Sequence, residues 1–150
     1  MADPADAPAL QLLAGDAEDL KVLSAALQDA VCMIGDIAFE KRPRRLTLSL
    51  NRFRWEAGDK RGGQRVRAAL QLGGVLSVQS RRLRQDAPKA VLSLLAISFE
   101  PGEAPGGVVS LAFAGGGELR AEVECIDAVL ADVSHPWPTP NRPAHRLTDR

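Results

Sequence analysis

Apolar residues return at every second position along much of this chain. Leu46, Leu48 and Leu50 do so, then Val66, Ala68, Leu70, Leu72, Leu76 and Val78, and later Leu119, Ala121 and Val123. A period of two turns one face of a strand to the core and the other to water, so the core must be built mainly from sheet. Turn chemistry sits between these runs. KRPRR (41–45) and AGGG (114–117) each predict a hairpin. RVRAALQLGGVLSVQS (65–80) reads as one strand bent at Gly73 and Gly74, or as two strands joined by a tight corner. AVLSLLAISFE (90–100) is apolar on both faces, which places it inside the sheet or beneath a covering helix.

Two segments change the period. Asp16 is placed to cap a helix, Glu18 and Asp19 fall in its first turn, and Leu20, Leu23, Leu27 and Val31 share one face, predicting a helix over 17–30. Ile126, Val129, Leu130 and Val133 have helical spacing before His135 and Pro136, predicting a second helix over 125–134. The expected fold is therefore α+β, a mostly antiparallel bent sheet or partial barrel with an N-terminal and a C-terminal helix. Its expected boundaries are a flexible 1–15, a single domain over 16–134 and a proline-rich tail over 135–150. Trp137, between two prolines, is too large an apolar group to be left in water and is expected to dock back on the domain.

A length of 150 residues suits one substantial core, and 45% hydrophobic with 25% charged residues is a globular composition. The run AVLSLLAI (90–97) falls far short of the ~20 apolar residues of a spanning helix, so no transmembrane segment is expected. The opening MADPADAPAL lacks the basic region of a secretory signal, and a cytoplasmic protein is the expectation. Cys32 and Cys125 have no CxxC spacing and read as buried hydrophobes.

The zero net charge conceals a division. Lys41 to Arg84 holds 13 Lys or Arg against 2 acids, a net +11, and the rest of the chain carries the balancing −11. Such asymmetry points to an anion-binding surface, unless the arginines pair with acids on neighbouring strands. Within NRFRW (51–55) the apolar positions switch from even to odd numbers, which predicts a β-bulge near Asn51, with Phe53 and Trp55 in the core and Arg52 and Arg54 outside. The expected binding face is then Arg44, Arg45, Arg52, Arg54, Arg65, Arg67, Arg81, Arg82 and Arg84.

Chemistry-bearing patterns are scarce. His135 and His145 have no ligand partner at motif spacing, Glu122 and Glu124 alternate as an outward strand face does, and GxSxG, GxGxxG and GxxxxGK[ST] are missing. No catalytic residue, metal or cofactor is expected. The leading expectation is a small non-enzymatic binding module for a polyanion, either nucleic acid such as RNA or an acidic protein surface. A homodimeric assembly protein, its basic face on its own acidic segments, is the alternative, and an enzyme without a recognisable motif is the third.

The combination of DAEDLKVLSAALQDAV, LNRFRWE, FAGGGELRAEVECI and HPWPTPNRPAH resembles a bacterial family known as a domain of unknown function, DUF2948, found mainly in alphaproteobacteria. The resemblance covers nearly the whole chain and implies a stand-alone cytoplasmic protein, with no activity assigned to any residue. The expected order of antiparallel strands closed by a helix is also similar to pleckstrin-homology-like barrels, a likeness of shape alone.

Overall fold

In the computed structural model, which describes residues 9–57 and 63–139, short turns separate eleven strands and one helix. Strand β1 (Gln11–Ala14) leads into α1 (Ala17–Ala26). Asp16 caps the helix, its carboxylate accepting the Asp19 N–H at 2.8 Å. Strands β2 (Val31–Met33), β3 (Ile37–Glu40) and β4 (Arg45–Phe53) follow, with KRPRR turning β3 into β4 so that Glu40 faces Arg45. A 3-10 turn at Trp55–Ala57 follows β4. Strand β5 (Gln64–Leu72) passes through the Gly73–Gly74 corner into β6 (Val75–Arg81), Gly74 taking φ +63°, which a glycine adopts without strain. The remaining strands are β7 (Val91–Pro101), β8 (Gly107–Phe113), β9 (Glu118–Val123), β10 (Ala128–Asp132) and β11 (Trp137–Pro138).

The strands are ordered β1-β10-β5-β4-β2-β7-β8-β9-β6, with β3 also on β4 and β11 also on β5. Every pairing is antiparallel. Besides the return from β9 to β10, two connections carry the chain between the halves of this sheet. One is β5–β6 at its glycine corner. The second is β7, which pairs with β2 through Val91–Ser93 and with β8 from Leu94 onward, its register shifting between Leu94 and Ala96. Corners and bulges of this kind let the two halves share one core. Leu46, Leu48, Leu50, Leu70 and Leu72 from one half meet Val109, Leu111, Phe113, Leu119 and Val123 from the other. The helix lies along β7 and adds Leu20, Leu23 and Leu27 to the same core. Ser24 Oγ accepts the Ile97 N–H at 2.9 Å, serving a strand amide where the β7 register shifts.

The α+β expectation is corrected by this architecture: among the described residues it is an open antiparallel sheet with a single α-helix, and its end strands β1 and β6 do not pair to close a barrel. The helix predicted over 125–134 is strand β10, because Ala128 and Leu130 are buried at a period of two and Asp132 continues that inward row. Helix α1 also stops earlier than its apolar spacing suggests, and Asp29 takes a left-handed φ of 65°. In β6 the phase differs from expectation: Val75 is fully buried and Leu76 is 45% exposed, since the strand restarts after Gly74 and shifts register by Ser77. Cys32 is buried as expected, whereas Cys125 is exposed.

Both ends of the described chain join the sheet. Residues 11–14, read as part of a flexible N-terminus, pair with β10. The backbone of Trp137 pairs with β5 opposite Arg65, continuing the line of β10 rather than packing beside a helix, but the residue stays 38% exposed, so the ring is not withdrawn from water as expected. The Val133 N–H to Arg67 O bond (2.8 Å) and the Thr139 N–H to Gly63 O bond (3.1 Å) extend that line. The expectations for residues 1–8 and 140–150, His145 among them, lie outside the described residues.

Candidate functional site

The register from Leu46 opposite Leu72 to Phe53 opposite Arg65 runs without a shift, so the bulge predicted at Asn51 is not there. A regular strand sends Arg52 inward behind Leu46, Leu48 and Leu50. Its side chain has no solvent exposure. The charge is accommodated because every donor of the fork is used. Nε and Nη2 reach Asp132 Oδ1 and Oδ2 at 2.8 and 2.9 Å, Nη1 and Nη2 reach Glu56 Oε1 and Oε2 at 3.0 and 2.6 Å, and Nη1 also donates to Phe53 O at 3.3 Å. Asp132 Oδ2 accepts the Leu10 N–H at 2.9 Å as well, which ties the segment before β1 to the same centre.

Burial works against the Arg52 charge, but hydrogen bonds and attraction from Asp132 and Glu56 outweigh it and raise its pKa. For Glu56, burial disfavours the charged form and is outweighed by Arg52, with Arg54 helping, so its pKa is lowered. Arg54 is buried too, its backbone N–H on Gln64 O at 2.8 Å and its Nη1 on Gln64 Oε1. The expectation of exposed Arg52 and Arg54 is therefore corrected.

Phe53 lies on the opposite face of β4 and is fully buried, as expected of a packed ring. Trp55 meets it edge-on at 4.7 Å, and the Trp55 Nε1–H donates to Gln28 O at 3.3 Å. The Arg65 guanidinium stands 5.9 Å from the Phe53 ring centre, and burial lowers its pKa against the pull of Asp29. These rings are not a free stacking platform.

The other arginines are dispersed and mostly matched by acids. Arg44 pairs with Glu124, Arg45 with Glu40 (3.1 Å), Arg67 with Asp36 (3.1 Å) and Arg84 with Asp86 (3.6 Å). Arg44 and Arg45 stand at the β3–β4 turn, Arg52, Arg54 and Arg65 at the far end of the β4–β5 ladder, and Arg81, Arg82 and Arg84 beyond the sheet's other half at the end of β6. The structure thus does not gather the nine into one face. Among the described residues, Arg81 and Arg82 are exposed and form no ion pair.

Arg81 ends β6 and Arg82 follows it; β6 is the last strand of the sheet path and pairs with β9 on one side and with no described strand on the other. An open depression of about 430 Å³ lies there, lined by Gln79, Ser80, Arg81, Glu118 and Arg120. Arg120 is engaged by Glu100 at 2.9 Å and Glu118 at 3.8 Å. The opposite end of β6 is acidic, with a second depression of about 440 Å³ lined in part by Leu76, Glu103, Glu122 and Glu124. Glu122 accepts the Ser77 hydroxyl at 3.2 Å, and neither it nor Glu103 forms an ion pair among the described residues. An unpaired strand edge is the feature that motif reading missed, because edge position is a property of topology and not of local sequence.

Among the described residues no group of three His, Cys, Asp or Glu could hold a metal ion, and no helix is long and apolar enough to cross a membrane. No curated protein and no solved structure matches the chain. The model of a family described as "Protein of unknown function (DUF2948)" matches residues 10–145, and to that family the chain belongs.

Proposed function

We propose that this protein is a non-enzymatic binding module that takes an extended, acidic segment of a partner protein along the open edge of β6. The observation that carries this reading is the coincidence of a terminal strand with two exposed arginines, Arg81 and Arg82, that have no acidic partner among the described residues. Strand addition supplies main-chain hydrogen bonds, while Arg81 and Arg82 supply charge selection and faster encounter. The nucleic-acid form of the polyanion reading has less support. Arg52 and Arg54 are buried, Arg44, Arg45 and Arg67 are matched by acids, and Phe53 offers no exposed ring.

Fluorescence anisotropy with a labelled peptide of alternating Glu and Val tests the reading. Binding should weaken as salt rises and should be lost both in an Arg81→Glu, Arg82→Glu variant and in Ser80→Pro, which removes an outward N–H from the free edge. Tighter binding of a single-stranded RNA oligomer, insensitive to Ser80→Pro, would overturn it in favour of a phosphate surface.

A further inference from the structure

The β6 edge has a polarity that selects one occupant. Its first part lies beside Glu122 and Glu103 and its last part carries Arg81 and Arg82, none of which forms an ion pair among the described residues. Ser77, Gln79 and Arg81 share the outer face of the sheet, being opposite Glu122, Arg120 and Glu118. An antiparallel copy of the same edge presents these charges in reverse order.

We infer that the partner of the β6 edge is a second copy of this chain, paired antiparallel about a two-fold axis near Gln79. This rests on the strand-addition reading above and names its occupant, the acid being supplied by Glu122 on the partner's neighbouring β9 and not by the added strand itself, VLSVQSR. With Gln79 opposite its own copy, Arg81 of one protomer lies beside Ser77 of the other, one strand short of the partner's Glu122, and the reciprocal contact forms at the same time. An isologous interface requires that reciprocity. The reach is one the chain already makes internally, where Arg52 on β4 spans β5 to Asp132 on β10. From Ser77 to Arg81 the register is unbroken and there is no proline, so little protects this edge from pairing. The other terminal strand, β1, has four residues and no charge, and so nothing that would orient a copy.

Sedimentation of the full chain at low and high salt, with charge reversals, tests this. Wild type should sediment at twice its 16.0 kDa chain mass at low salt and dissociate as salt rises. Arg81→Glu alone and Glu122→Arg alone should each weaken the dimer by about tenfold or more, since each places like charges together. An equimolar mixture of these two variants should dimerise again, because every reversed charge then meets its complement, a recovery that misfolding would not produce. A monomer at all concentrations, or a dimer that survives both reversals, overturns the self-pairing. The strand-addition reading is decided separately: acidic-peptide binding by a monomeric wild type, lost in Ser80→Pro, keeps it, and a monomeric wild type without such binding ends it.

Discussion

Arg52 on β4 and Asp132 on β10 meet over the intervening strand β5, Nε to Oδ1 at 2.8 Å and Nη2 to Oδ2 at 2.9 Å, with Arg52 wholly buried and Asp132 3% exposed. Their backbones stand opposite Val66 and Ala68 on the same face of β5. Small or slim side chains there leave room for an ion pair above a strand. The pair therefore acts as a cross-member holding β4 and β10 in register around β5, and through the Leu10 N–H it also fixes the approach to β1.

Removing one partner leaves a buried charge uncompensated, so Arg52→Ala should cost about 3–5 kcal/mol in urea denaturation. Arg52→Lys should recover little, because three donors on one nitrogen cannot replace a planar fork with five. Replacing both partners, Arg52→Met with Asp132→Leu, should cost far less than the sum of the singles. A cost below about 1 kcal/mol for Arg52→Ala would show that the network does not hold these strands.

The same network makes a pH prediction. Glu56 has a folded pKa below its ordinary 4.5, so its contribution to stability is present above pH 4.5 and is lost as pH falls through the folded value. Arg52 stays charged throughout, so this contribution belongs to Glu56. Glu56→Gln should be less stable than wild type at neutral pH, and the gap should narrow below pH 4.5. A gap that stays constant on acidification would assign the Glu56 effect to shape rather than charge.

One buried ion pair explains two departures of the fold from the sequence reading. Along β4 the inward row is Leu46, Leu48, Leu50, Arg52, and along β10 it is Ala128, Leu130, Asp132. Both rows keep a period of two only if a charged residue is counted as core. A sequence reading counts it as surface, which forces a bulge into NRFRW and makes Ile126, Val129, Leu130 and Val133 look like a helix. Burial of either charge is conditional on the other, 80 positions away in the chain, and local pattern cannot reveal that. Where inward positions are all apolar the pattern was legible: the α1 cap, the KRPRR and AGGG hairpins and the inward face of β5 all appear in the structure. The charge division between segments was legible as well, but its meaning was not, since Arg44, Arg45 and Arg67 find their acids on other elements.

The two thiols should report burial directly. Burial, and then Asp36, push the Cys32 thiol up to about 11 against the opposing pull of Arg67, while Cys125 is exposed. A thiol reagent at mildly alkaline pH should modify Cys125 at once and Cys32 only at the rate of opening, giving one equivalent in the folded protein and two in denaturant. Because the folded Cys32 pKa lies above the ordinary 9.0, its contribution is complete below pH 9.0 and declines toward about 11. A Cys32→Ala variant, stripped of that titration, should lose less stability over the same alkaline range. Rapid modification of both cysteines in the folded state would contradict the buried position of Cys32.

Gly63 and Phe53 form the tightest test of NRFRW. Gly63 takes φ +86°, and a Cβ built on it would stand 2.4 Å from Phe53 Cζ, closer than any real contact. Neither the backbone nor the ring can yield easily, since Phe53 is fully buried, with Trp55 against its edge and Arg65 over its face. Gly63→Ala should therefore cost more than the ~1 kcal/mol of a left-handed alanine alone. Phe53→Ala should cost about 3–5 kcal/mol for the emptied site. In the double variant the alanine methyl enters space the ring has vacated, so the clash disappears while the backbone strain remains. The combined cost should then fall short of the sum by about the clash alone, a coupling readable from a double-mutant cycle. Simple additivity would show that the ring moves aside freely and that Gly63 is there only for its backbone angle.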